Sequence, residues 1–132
     1  MEEATTAQVS GGAEALAARA QQISQLLDPI AQRMRTTSVI STLQGQSVVS
    51  SGGVDLSRVQ RLALSANEIA ARAPGLHAEV TGIATTLDQG LTPTAIGIAG
   101  GPGAFCPACA SYLEEFGATI SSPTTAEWLG PK

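Results

Sequence analysis

The only histidine in the chain, His77, precedes Glu79 by two positions, and the only cysteines, Cys106 and Cys109, form a Cys-x-x-Cys further on. One imidazole and two thiolates are a complete ligand set for a zinc ion whose fourth position stays open. If the set is used, the fold has to bring two separate segments to one point. That demand constrains the chain more than its composition does. Cys106 and Cys109 are three apart, so within one helical turn their sulfurs point the same way. Glu79, two residues beyond His77, points elsewhere and is free to transfer protons as a general acid and base.

Hydrophobic patterning places these residues on elements. Leu16, Ala20, Ile23, Leu27, Ile30 and Met34 recur every three or four positions, which predicts one apolar helical stripe packed into the core. Pro29 should kink or interrupt that helix. β-Branched runs at 38–43 and 47–50 flank Gln44-Gly45-Gln46 and predict a β-hairpin. Asp55 can cap a second helix, with a stripe of Val59, Leu62, Ala66, Ile69 and Ala73 stopped by Pro74-Gly75. A third helix opens at about His77 and closes at Gly90. Residues 94–99 read as a central strand, the Cys-x-x-Cys opens a helix ending at Gly117, and 118–121 read as a last strand. Alternating helices and strands imply an α/β layer with a partly parallel sheet, in which the cysteine-bearing helix joins a parallel pair as a βαβ unit. Both ligand-bearing segments then begin helices, where the dipole favours thiolate.

A chain of 132 residues fits one domain and is too short for two. Residues 1–11 read as a loose tail, 12–36 as the N-terminal helix and 37–122 as the catalytic core. The acidic start lacks the features of a signal peptide, and no apolar run approaches membrane-spanning length. A disulfide across Cys-x-x-Cys would close a small loop and add little stability, which favours a redox or metal role. The net charge of −4 opposes a strong, sequence-blind grip on nucleic acid. The bases are uneven, however: Arg19, Arg33, Arg35, Arg58, Arg61 and Arg72 all precede His77, and only Lys132 follows. They form either a local basic face or a solvated helix surface. Glu114 and Glu115 are expected to face solvent, and Asn67 to lie on the surface.

Three competing readings of the motif remain open. The cysteines could form a thioredoxin-like redox pair, although Ala104-Phe105 replaces the expected aromatic lead-in. They could belong to a structural zinc knuckle, which would lack a fourth ligand. His77 could be an unrelated packed residue.

With His77-x-Glu79 and Cys106-x-x-Cys109 in that order across a strand, the chain resembles the cytidine deaminase-like superfamily. More narrowly it resembles bacterial toxin deaminases that act on nucleic-acid bases. The resemblance covers roughly residues 37–122 and includes Val49-Ser50-Ser51-Gly52-Gly53 after the second strand. It implies a three-layer α-β-α fold with a mixed sheet of four to five strands beginning with the β-hairpin. The fifth strand usual in the family is expected to be absent or very short. Phe105 stands where many members have a proline before the first cysteine.

The resemblance also implies a function. Zinc on His77, Cys106 and Cys109 and proton transfer by Glu79 would hydrolyse cytosine to uracil in DNA, single- or double-stranded. Ser50, Ser51, Gly52, Ala78 and Phe105 are the candidates to contact the base, and Phe105 and Trp128 either stack on bases or cover the core. A deaminase of RNA, adenine or free nucleosides, and a non-catalytic zinc-stabilised interaction module, are the alternatives. The family further implies the toxin domain of a larger secreted protein that acts in the cytoplasm of a target bacterium, paired with an immunity protein. No membrane partner is expected.

Overall fold

The computed structural model of the protein describes residues 12–72 and 75–128. The expected tail at 1–11, and Ala73 and Pro74 of the expected helix end, lie outside the described residues. The elements in chain order are α1 (Gly12–Ser24), α2 (Pro29–Met34), β1 (Thr36–Thr42), β2 (Ser47–Ser51), α3 (Arg58–Leu62), β3 (Glu68–Ala70), α4 (Ala78–Asp88), β4 (Pro93–Gly100), α5 (Pro107–Glu115), β5 (Thr119–Ser122) and β6 (Thr125–Glu127).

The architecture is α/β, with one mixed, open sheet of six strands in the order β3-β2-β1-β4-β6-β5. β1 pairs antiparallel with β2 and with β4, and β2 pairs parallel with β3. β6 pairs antiparallel with both β4 and β5. Alternate strand residues feed two apolar clusters, as a pleated strand requires. Val39, Val49 and Ala99 pack with Ala20 and Ile23 of α1. Ile40, Val48, Ile96 and Ile98 pack with Ile83 of α4 and Leu113 of α5.

Three expectations need correction. The sheet has six strands among the described residues, against four to five expected. The additional β6 returns after Pro123 and inserts between β4 and β5, so the strands joined by the cysteine-bearing helix are not neighbours.

The long helix expected after Asp55 is α3 alone, a single short turn. Its cap is Ser57, whose hydroxyl accepts from the Gln60 amide while the Gln60 side chain accepts from the Ser57 amide. This capping box turns Gln60 inward, where its Nε2 donates to the Ile23 carbonyl at 3.1 Å. Val59 and Leu62 are left exposed. The chain then extends, and Glu68–Ala70 pairs with Ser47–Val49. The bidentate ion pair of Glu68 with Arg19 holds that strand to α1.

The N-terminal stripe is also broken. Asp28 caps a new helix through the Ala31 amide, with Pro29 in its first turn. The restart shifts the helical phase, so Ala20, Ile23 and Leu27 are buried while Ile30 and Met34 are 66% and 76% exposed.

α1 crosses the sheet in close contact with β4. A Cβ built on Gly97 would land on the backbone of Leu16 and Ala17, and a backbone cannot move aside as a side-chain tip can. Gly97→Ala is therefore expected to cost about 3 kcal/mol, the upper end of overpacking penalties, read as a lower urea midpoint. An unchanged midpoint would contradict this packing.

Candidate metal centre

His77 and Cys106 occupy equivalent places, each as the residue that caps a helix. His77 precedes α4 in extended backbone and makes no side-chain capping bond, which leaves its imidazole available to the neighbouring segment. Cys106 precedes α5, with Pro107 in the first turn, and its sulfur accepts from the Cys109 amide at 3.3 Å. The Cys106 sulfur lies 3.9 Å from Nδ1 of His77. The ligand atoms of His77, Cys106 and Cys109 all lie within 4.8 Å of one another. Both cysteines are free thiols.

A tetrahedral zinc with bonds of about 2.0–2.3 Å separates its donors by about 3.3–3.8 Å. The His77–Cys106 pair is close to that spacing, and the widest pair would need to close by about 1 Å. The donors, one imidazole and two sulfurs, suit a borderline-soft cation of the zinc type. These three residues therefore form a group able to hold a metal ion.

Backbone contacts fix the His77 segment on both sides. Before it, Gly53 donates to the Leu76 carbonyl and Gly75 donates to the Gly53 carbonyl, at 2.9 and 2.8 Å. After it, the Ser50 hydroxyl donates to the Ala78 carbonyl at 2.6 Å and bonds the Ser38 hydroxyl. On the other segment, the Phe105 amide donates to the Pro123 carbonyl at 2.9 Å, which ties the approach to Cys106 to the β5–β6 turn.

Glu79 lies in the first turn of α4 and is 3% exposed. Burial raises its pKa. Hydrogen bonds from its own backbone amide and from the Cys109 thiol, together with the charge of His77, oppose that rise. Burial also pushes the Cys109 thiol far above its ordinary range, and neighbouring Cys106 and Glu79 push it further. Two acid-forming groups at this point, Glu79 and Cys109, thus hold their protons more tightly than in water, and a cation among the ligands would reverse that preference.

A cavity of about 300 Å³ opens at this group, walled in part by Gly52, His77, Ala78, Glu79 and Cys106. Of the residues expected to contact a base, Gly52 and Ala78 are in the wall. Ser50 and Ser51 are not: both are buried, and the Ser50 hydroxyl is committed to Ser38 and Ala78. Phe105 is also absent from the wall and packs against the larger apolar cluster. Trp128 packs against the same cluster, and its indole donates to the Phe116 carbonyl at 2.8 Å, as expected for a residue that covers the core. Met34, expected in the core, also lines the cavity, together with Thr36 and Leu76, which no sequence motif marks.

The raised Glu79 pKa has a consequence for the metal-free protein. The folded state binds the Glu79 proton more tightly than the unfolded chain, so stability falls as pH rises through the window above the ordinary carboxyl pKa of about 4.3. Metal-free Glu79→Gln is therefore expected to match the parent in thermal unfolding at acid pH and to exceed it near neutrality. A parent more stable than the variant at neutral pH would contradict the assignment.

No protein-family model, curated protein or solved structure matches the chain, so the reading of the site rests on its own residues and geometry.

Proposed function

We propose that this chain is a zinc-dependent nucleobase deaminase that converts cytosine to uracil in a polynucleotide, DNA before RNA. His77, Cys106 and Cys109 would be the ligands and Glu79 the proton-transfer residue. One observation carries the reading: three metal-binding side chains converge within 4.8 Å beside a carboxylate that is 3% exposed. A mixed sheet with helices is compatible with the three-layer α-β-α cytidine deaminase-like fold, which we include in the proposal.

A zinc ion, when bound, supplies the charge that lowers the pKa of a water to about 7. The chain's residues would do the rest. The walls of the cavity hold the ring with its amino-bearing carbon toward the ligand group. The Glu79 carboxylate accepts a proton from the attacking water and delivers it to the adjacent ring nitrogen. A second transfer through Glu79 protonates the departing amine, so cytosine and water become uracil and ammonia. Enclosure keeps Glu79 away from bulk water, so the proton it takes is passed to the ring.

A purely structural zinc site fits these residues less well. Only three ligands converge among the described residues, and structural zinc sites use four. An ionisable Glu79 buried with no ion pair among the described residues is costly unless it has work to do. The resemblance, and nothing else here, supports the further proposal that the chain is the toxic domain of a secreted bacterial protein with an immunity protein as partner.

Glu79→Gln is expected to retain zinc while uracil formation falls about 10²–10⁴-fold, the range for loss of a general acid–base. Mass analysis of single-stranded DNA, duplex DNA, RNA and cytidine after incubation reads both the activity and the substrate. Activity equal to the parent would remove Glu79 from the mechanism. Absence of uracil in every parent reaction would remove the deaminase reading.

A further inference from the structure

The lip of the cavity carries features the proposed chemistry does not use. Met34, the last residue of α2, lines the cavity and is 76% exposed. Ile30, one helical turn earlier, is 66% exposed, so α2 presents two large apolar side chains on one face. Leu76, also in the cavity lining, is 43% exposed. The end of α2 is not loosely attached. The Gly101 amide donates to the Gln32 carbonyl at 2.7 Å, which joins α2 to the loop that leads through Pro102 and Ala104 to Cys106.

Arg33 and Arg35 flank Met34, and neither guanidinium group has a hydrogen-bonded or ionic partner among the described residues. Of the other arginines, Arg19 pairs with Glu68 and Arg61 donates to the Leu56 carbonyl, while Arg58 and Arg72, which do not line the cavity, have no side-chain partner among the described residues. The nearest acid on α2, Asp28, sits at its far end and accepts from the Ala31 amide. The exposed acids Asp88, Glu114 and Glu115 lie at or beside the C-terminal ends of α4 and α5, whereas the cavity lies at their N-termini. At 1.5 Å per residue those helices hold the acids about 12–17 Å from the site. That exceeds the Debye length of about 10 Å at 0.1 M salt. Two acids stand closer, Glu79 in the cavity wall and Asp55 two residues past Gly53 of that wall; the lip itself sets two guanidinium groups without side-chain partners beside exposed apolar side chains.

We infer that the end of α2, Arg33-Met34-Arg35, is the strand-holding surface for a single-stranded polynucleotide whose target base enters the cavity. Met34, with Ile30 behind it, packs on a neighbouring base, and the two guanidinium groups pair with backbone phosphates. The occupant follows from charge and shape: an anionic backbone answers Arg33 and Arg35, and flat apolar base faces answer Met34. The inference deepens the deaminase reading and names its substrate as a strand rather than a free nucleoside.

The test measures binding by fluorescence anisotropy, using zinc-loaded Glu79→Gln to stop turnover. The probe is a single-stranded DNA about 12 nucleotides long with one central cytosine, a length within the usual range of strand-binding sites. Each lost phosphate contact should flatten the plot of log affinity against log salt by about 0.7 for a single strand. Arg33→Gln with Arg35→Gln should therefore weaken binding and reduce the slope by about 1.4. Met34→Ala should weaken binding several-fold with the slope unchanged. All three side chains lie on the surface or partly so, and unchanged thermal unfolding would separate lost contacts from lost fold.

Unchanged affinity and slope in the arginine variant, or no binding by the parent at low salt, would overturn the inference. The two readings fail separately. Uracil formed from free deoxycytidine without strand binding removes the surface and keeps the deaminase. Strand binding with the expected slope loss but no uracil keeps the surface and removes the deaminase.

Discussion

Gly82 sets the distance at which α4 packs on β1 and β2, and that distance decides where His77 and Glu79 stand. A Cβ at this position would sit 2.9 Å from the tip of Ile40, 3.1 Å from the Ser50 hydroxyl and 3.2 Å from the Ser38 hydroxyl. Without a side chain there, the helix approaches until the Ser50 hydroxyl reaches the Ala78 carbonyl. Ala78 lies between His77 and Glu79, so this buried bond is the nearest fixed point to both. Losing a buried partner of this kind leaves an unsatisfied group, at a cost of about 1–3 kcal/mol. Ser38 and Ser50 are thus part of the site's support, although neither lines the cavity or supplies a ligand atom.

The second constraint is electrostatic. Glu79 and Cys109 are both buried, in contact, and both favour the protonated form. Such a pair is unfavourable as two anions and weakly useful as two neutral groups. A cation among His77, Cys106 and Cys109 resolves the conflict, because it stabilises thiolate and carboxylate together. The helix N-termini contribute in the same direction, since α4 and α5 both begin at this point.

The site was legible in the sequence because its signals are local. A Cys-x-x-Cys and a His-x-Glu keep their internal geometry wherever a helix starts, and the residue types declare the chemistry. The hairpin of β1 and β2 was equally local, with Gly45 at the positive φ its turn requires. Elements whose identity depends on partners were not legible. Val59, Leu62, Ala66 and Ile69 have helical spacing, yet Ile69 belongs to a strand that exists because β2 offers it a parallel edge. β6 is three residues long and forms only between β4 and β5. Ile30 and Met34 continued an apolar period that Asp28 and Pro29 had already ended. That misreading hid the lip of the cavity. Ser50 and Ser51 are expected at the site from their position in the chain, and it is tertiary packing that buries both outside the cavity lining.

The measurement that bears most directly on the account is zinc content with X-ray absorption at the zinc edge, on protein expressed with zinc present. The account predicts about one zinc per chain, with two sulfurs at about 2.3 Å and nitrogen or oxygen donors at about 2.0–2.2 Å completing four positions. A chain that takes up no zinc while both thiols remain reduced would contradict it.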